Sequence, residues 1–120
     1  MVPTTLINEY ILCKNRSDKI FKALNFLLSN DKNQKILLFV NTCACVDFYG
    51  KLLQNLFYFK GTSIEMIHGK MKQKKRNKIF DSFMKKNCGI LISTDLIARG
   101  LDFLDVHYIL QIDPPQVIIF

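Results

Sequence analysis

The chain has no long apolar run, no secretory signal and no paired cysteine motif. Of its 120 residues, 49% are hydrophobic, yet no apolar stretch reaches the roughly 18 residues that a membrane-spanning helix needs. The first residues lack the basic and then apolar segments that mark secretory proteins. The four cysteines are too scattered for a zinc-ligand pattern. We therefore expect an intracellular protein with reduced, mostly packed thiols, no metal site and no membrane contact.

Several nucleotide-binding and catalytic motifs are also absent. The sequence contains no GxxxxGK[ST] phosphate loop, and no GxGxxG follows a predicted strand. It offers no carboxylate pair, serine triad or cluster of metal ligands. The chain therefore lacks the groups that would hold a nucleoside triphosphate and magnesium unaided.

Positive charge is concentrated in one stretch of the chain. The formal net charge is +7, and residues 70–86 alone carry eight basic groups and one acidic group. Residues 1–69 have a net charge of +3, and residues 87–120 a net charge of −3. A field this localised attracts polyanions, nucleic acid first. On charge alone, a solvated basic helix face explains the pattern equally well.

The spacing of apolar residues predicts alternating strands and helices. Continuous or alternating apolar runs predict strands at 5–13, 36–40, 64–67, 88–93 and 106–112. Three- and four-residue spacing predicts helices at 18–30, 44–58 and 71–86, with Ser17 as an N-cap and one helical turn at 95–98. This order predicts an α/β fold with an open, mostly parallel sheet flanked by helices, in one domain over residues 1–120. The apolar end of the chain predicts that this domain is truncated at its C-terminus.

Small polar residues follow three of the predicted strands. Thr42 follows the second strand, Gly69 the third, and Thr94 and Asp95 the fourth. In open α/β sheets ligands bind beyond the carboxyl ends of the strands. Helix capping explains each residue singly. Together, beside a basic helix, they favour a phosphate-binding surface.

Two further groups of residues lie close to that predicted surface. Gln73 and Arg76 are three apart, so they share a face in the first turn of the basic helix, and arginine suits phosphate. Arg99, Gly100 and Asp102 fall in one loop. They could bind a ribose or complete a site across an interface, although spacing alone favours a local salt bridge.

At this point the sequence resembles the DEAD-box RNA helicases. Residues 68–76, HGKMKQKKR, match the family pattern HGxxxQxxR, and residues 94–102, TDLIARGLD, match motif V, TDxxARGxD. Residues 39–42, FVNT, resemble motif IV, and residues 109–113, ILQID, resemble the segment after motif V. The matches stand in the family's order. They imply the C-terminal, RecA-like lobe of an ATP-dependent RNA helicase.

The resemblance also implies roles for individual residues. Contacts to the RNA backbone are implied for Thr42, Gly69, Arg76 and Thr94, with Asp95 supporting the last loop and Gln73 a further RNA-binding candidate beside Arg76. Gly100 and Asp102 would approach ATP, with Asp102 near the ribose. Arg99 would be catalytic by engaging the first lobe when the two lobes close.

Parts of the family pattern are not present in this sequence. Motif VI, HRxGRxxR, is absent, as is the first lobe with its phosphate loop and DEAD carboxylates. The resemblance thus implies that the N-terminal lobe of the same chain binds most of the Mg²⁺ and that this fragment alone does not hydrolyse ATP. Two alternatives remain: a stand-alone, non-catalytic RNA-binding module, and a dinucleotide-binding α/β domain, which the missing glycine fingerprint disfavours.

Three short runs resemble a narrower branch of the family. They are CACV at residues 43–46, YGK at 49–51 and GKMK at 69–72. The branch they resemble serves assembly of the large ribosomal subunit. This likeness implies pre-ribosomal RNA as a partner and a nucleolar location in the nucleus.

Overall fold

The computed structural model describes residues 9–29, 32–94 and 106–113. The elements, in chain order, are α1 (Arg16–Ser29), β1 (Lys35–Val40), α2 (Cys43–Asn55), a 3₁₀ turn (Phe57–Phe59), β2 (Ile64–Ile67), α3 (Gln73–Lys85), β3 (Gly89–Thr94) and β4 (Tyr108–Gln111). None of the helices in these ranges is long and apolar enough to cross a membrane. The predicted helical turn at 95–98 lies outside the described residues.

The four strands form one parallel sheet in the order β2-β3-β1-β4. Lys35 to Val40 of β1 lie opposite Gly89 to Thr94 of β3 without a register break. All six residues of β3 are buried, which is what a strand covered on both faces requires. The predicted open, parallel α/β sheet is confirmed.

Helices cover both faces of the sheet, and each face has its own apolar core. On one face, Leu38 of β1 packs in a cluster with Val46 and Leu53 of α2 and with Leu27 of α1. On the other, residues of the same strands pack against α3, whose Phe83 is fully buried. The alternation of side chains along each strand divides one apolar run between these two cores.

A glycine allows α2 to lie close to β2. Gly50 is buried in the interior of α2, where glycine costs roughly 1 kcal/mol against alanine. A Cβ atom at this position would meet the Sδ atom of Met66 at 1.9 Å. Gly50 is thus required by packing and not by a turn, and the helix continues through it.

Two predictions for the N-terminal part are wrong where they can be compared, since residues 5–8 of the strand predicted at 5–13 lie outside the described residues. Residues 9–13 form no strand and pair with no other strand in the described chain, and Tyr10 is 89% exposed. Apolar alternation stabilises a strand only where a neighbour pairs with its backbone. The predicted N-cap Ser17 lies inside α1, while the side chain of Asn15 accepts a hydrogen bond from the Asp18 N–H at 2.8 Å and caps the helix.

The cysteines are all free thiols, as predicted. Cys13 is exposed, so the expected packing is wrong for this residue. The other three, Cys43, Cys45 and Cys88, are half-buried. Within the described ranges no three His, Cys, Asp or Glu side chains are grouped as metal ligands would be.

Candidate nucleic-acid interface

The carboxyl ends of β2, β3 and β1 lie side by side, and we call the residues there the rim: 41–42, 68–72 and Thr94. Thr94 lies opposite Val40, and Ile67 lies opposite Ser93, so all three strands end at nearly the same level. Neighbouring strands are about 4.8 Å apart, which puts the segments that follow β1 and β2 roughly 10 Å apart across β3. The rim therefore brings Thr42, Gly69 and Thr94 together, as the strand order predicted.

Thr42 begins α2 and presents a hydroxyl group at the rim. Its Oγ1 accepts a hydrogen bond from the Cys45 N–H at 3.1 Å, which makes Thr42 the N-cap. A hydroxyl that accepts one hydrogen bond can still donate its own hydrogen. Since Thr42 is exposed, that hydrogen can reach an oxygen atom of an anion.

The loop between β2 and α3 is held in place by His68. The Lys70 N–H donates to its Nδ1 at 3.2 Å, and its Nε2 lies 3.4 Å from Oδ1 of Asp47 in α2. These two contacts fit the neutral tautomer with hydrogen on Nε2. The Met71 N–H closes a turn onto the His68 carbonyl at 3.1 Å. His68 therefore positions the loop and leaves Gly69 exposed.

Arg76 reaches back from α3 to the same loop. Its Nη1 donates to the Met71 carbonyl at 2.8 Å and to the Gly69 carbonyl at 3.4 Å. Among the described residues, neither Nη2 nor Nε of the guanidinium makes a hydrogen bond. A guanidinium has five N–H donors, so three are not used by any residue in the described part of the chain. Arg76 thus fixes the loop and offers a positively charged donor group beside Gly69.

Two further candidates, Gln73 next to the rim and Thr94 within it, differ in exposure. Gln73 is the first residue of α3 and is exposed, so its amide is accessible. Thr94 lies at the centre of the rim but is only 7% exposed. Thr94 therefore offers a ligand less of its surface than Thr42 or Gly69, which flank it.

The N-terminus of α3 has neither a side-chain cap nor an acidic residue in its first turn. Its N-cap residue, Lys72, makes no side-chain hydrogen bond to the helix, and no acidic residue occurs in the first turn. Instead, Lys74 and Lys75 place positive charge at the positive end of the helix dipole, an arrangement that costs about 0.3–1 kcal/mol per charge. An anion at this position would satisfy the free N–H groups and the lysines together.

The C-terminus of α3 provides a contrast. The ammonium group of Lys35 donates to the Met84 carbonyl at 3.4 Å and lies over the ring of Phe83. A cation is the partner that a helix C-terminus favours. Among the described residues, the C-terminus of α3 therefore has a partner of opposite charge and its N-terminus at the rim has none.

Two residues near the rim were not identified as site residues from the sequence. Asp47 positions His68, and its place in the second turn of α2 gave no indication of that contact. Asp113 follows β4 and forms an ion pair with Lys19 of α1 at 2.7 Å.

Tyr49 of α2 is a buried titratable group. Burial, with the nearby Asp113 and Cys45, raises the pKa of Tyr49 to about 12.

Four predicted site residues lie outside the described part of the chain. They are Asp95, Arg99, Gly100 and Asp102. Their assigned roles toward RNA, ATP and the first lobe therefore stay predictions.

Comparison with known proteins shows the family to which this chain belongs. Residues 18–119 match the family model described as the helicase conserved C-terminal domain. The chain is 50% identical over 114 residues to the ATP-dependent RNA helicase DDX55 of Bos taurus, a match that covers 95% of this chain. It covers 18% of that relative, so this chain spans about a fifth of the length of the curated relatives it matches.

Two solved structures resemble the fold closely. Domain 2 of the DEAD-box helicase Mss116p, bound to an RNA duplex, matches with a TM-score of 0.73 and 36% identity over 82% of this chain and 40% of that one. Dbp5 of S. cerevisiae, bound to RNA and ADP BeF3, matches with a TM-score of 0.64 and 28% identity over 88% of this chain and 26% of that one.

Proposed function

This chain belongs to the helicase conserved C-terminal domain family, as the second RecA-like lobe of a DEAD-box protein, and from that premise we propose that its rim binds the RNA backbone in an ATP-dependent RNA helicase. The observation that carries the proposal is the N-terminus of α3, which lies at the rim and has no anionic partner among the residues that the structure describes. Membership in this family removes the dinucleotide-binding alternative.

The groups at the rim suit a sugar-phosphate backbone. Thr42 supplies a hydroxyl, and Arg76 supplies N–H donors that no described residue uses. The glycine at position 69 lets the ligand approach the main chain. None of these groups is arranged to distinguish one base from another. Binding of this kind has little sequence preference and weakens steeply with salt.

We assign the nucleotide site to the boundary between this lobe and a first lobe. By resemblance Gly100 and Asp102 would face ATP, and Arg99 would engage the first lobe, which would also hold most of the Mg²⁺. When bound there, ATP would supply the γ-phosphoryl group whose transfer to water, with release of ADP, yields free energy. Support comes from the motif V match and from the relatives, which are named ATP-dependent RNA helicases.

The cellular role we propose is assembly of the large ribosomal subunit in the nucleolus. Its support is the likeness of residues 43–46, 49–51 and 69–72 to that branch. Crosslinking of RNA to the full-length protein in cells should recover pre-ribosomal RNA. Recovery of messenger RNA alone would remove this part of the proposal.

The test of the main proposal uses the full-length protein and measures RNA-stimulated ATP hydrolysis beside RNA affinity. Arg76→Ala should lower RNA affinity about tenfold, because a charged hydrogen-bond donor contributes roughly 1.5–3 kcal/mol. Arg76→Lys, which keeps the charge, should lose less. Asp102→Ala should impair ATP use and leave RNA affinity in the absence of ATP unchanged.

Two results would contradict the proposal. Unchanged RNA affinity of Arg76→Ala at low salt would remove the rim as the binding site. RNA binding without any ATP hydrolysis by the full-length wild type would favour the non-catalytic RNA-binding module instead.

A further inference from the structure

The outer side of α3 carries a straight line of lysines, Lys74, Lys78 and Lys85, which we call the lysine stripe. At 100° per residue these three positions lie within about 40° of one another around the helix axis. They lie opposite the inner face, where Phe83 and Ile79 pack on the sheet. With a rise of 1.5 Å per residue, the stripe is about 16 Å long.

The lysine stripe has no acidic partner among the described residues. Other lysines do: Lys86 pairs with Glu65 at 2.8 Å, and Lys19 pairs with Asp113 at 2.7 Å. Asp81 lies along the stripe, yet it forms no ion pair with any of the three. Like charges four residues apart destabilise a helix. Lys74 and Lys78 are four residues apart, and within the described ranges no side chain pairs with either of them to relieve their repulsion.

The direction of α3 determines which ligand could relieve the repulsion between the lysines of the stripe. Because α3 connects two parallel strands, β2 and β3, it begins at the rim and runs back toward the opposite edge of the sheet. A strand of RNA confined to the rim would reach Lys74 and no further. A ligand that meets Lys78 and Lys85 must extend from the rim along the outside of the helix.

We propose that the lysine stripe binds the phosphate backbone of duplex RNA continuous with the strand held at the rim; this inference rests on the proposed function. The stripe is straight and its positions are fixed by a packed helix. A duplex is rigid and presents more charge per unit length than a single strand, so it meets such a line without being ordered first.

The experiment compares two RNAs: a short single strand, and the same strand extended by a duplex. Lys78→Gln/Lys85→Gln should bind the extended RNA several-fold more weakly at low salt. The slope of log affinity against log salt should fall by about two, since each lost phosphate contact removes roughly 0.9. Binding of the short strand should not change, because Lys74 next to the rim is retained.

Two controls accompany the double variant. Lys51→Gln/Lys60→Gln removes the same charge from two exposed lysines, one of them on α2, which packs on the other face of the sheet. It should leave the salt slope for the extended RNA unchanged. Asp81→Asn removes the negative charge that lies beside the lysine stripe, and it should strengthen binding of the extended RNA.

Three results would overturn the inference: an unchanged salt slope in the double variant, an equal loss in the control pair, or an equal loss on both RNAs. The proposed function fails by a different result, namely no binding of the short strand by the wild type. In that case the double variant on the extended RNA still shows whether the stripe binds a duplex.

Discussion

Helices α1 and α3 are nearly equal in length and both bury an apolar face, but they treat their charges differently. In α1, Asn15 caps the start, and Asp18 accepts from the Lys14 N–H at 2.8 Å and pairs with Lys22 at 3.2 Å. In α3, the first turn has no cap and no acid, and the outer lysines have no partner in the described chain. The polar surface of α1 thus stabilises the fold, while that of α3 is suited to an external anion.

The largest expected effect is on the free energy of unfolding, and it distinguishes the buried face of α3 from its outer face. Phe83 is fully buried in the core between α3 and the sheet. Phe83→Ala should lower the free energy of unfolding by about 3–5 kcal/mol through lost burial and a cavity. Urea unfolding followed by circular dichroism measures this. Lys78→Gln/Lys85→Gln should show no such loss, and a comparable loss there would mean that the outer face is structural too.

A medium effect is expected at the start of α1. Asn15→Ala removes the side chain that accepts from the Asp18 N–H, so the free energy of unfolding should fall by about 1 kcal/mol. RNA affinity should stay as it was. A loss of RNA affinity without a loss of stability would break the distinction between the helices.

A smaller effect of opposite sign is expected at the start of α3. Lys74→Glu gives the first turn the negative charge it lacks and should raise the free energy of unfolding by about 0.3–1 kcal/mol. The same change should weaken RNA binding, because it places a negative charge beside the phosphates. Lys74→Gln should fall between the two in both measurements. A variant that gains both stability and affinity would contradict this account of α3.

The smallest effect concerns Tyr49, whose raised pKa reflects burial and the nearby Asp113. In the unfolded chain a tyrosine loses its proton near pH 10, whereas Tyr49 in the fold keeps it to about pH 12. The stability that this difference supplies is present below pH 10 and is lost as the pH rises toward 12. Tyr49→Phe should therefore lose less stability than the wild type over that interval, measured by urea unfolding. Equal losses would contradict the raised pKa.

The sequence predicted the centre of the sheet well because β1 and β3 are buried on both faces. The runs at 36–40 and 64–67 need few polar residues, and β1 and β2 begin and end within one residue of the predicted bounds. Residues 9–13 show the same apolar alternation but pair with no strand in the described chain. Periodicity describes which faces a segment could bury, and pairing depends on a neighbour that the segment itself does not specify.

The position of the candidate site was also predictable from the sequence, but only part of its internal contacts was. Strand order placed Thr42 and Gly69 at one edge, because parallel strands end together. The sequence also placed Arg76 close to that surface, and its guanidinium does contact the Gly69 carbonyl. The contact of His68 with Asp47, which joins residues 21 positions apart, was not predicted. That contact follows from how α2 packs beside the loop after β2, and spacing in the sequence does not encode it.

The most direct test of the central claim is an NMR titration of the ¹⁵N-labelled chain with a short single-stranded RNA at low salt. Binding at the rim predicts that the amide signals of Thr42, Gly69 and Gln73 shift together, with one dissociation constant that weakens as salt is added. The amides of α1 should stay where they are. Shifts concentrated on α1, with the rim signals unmoved, would contradict the account.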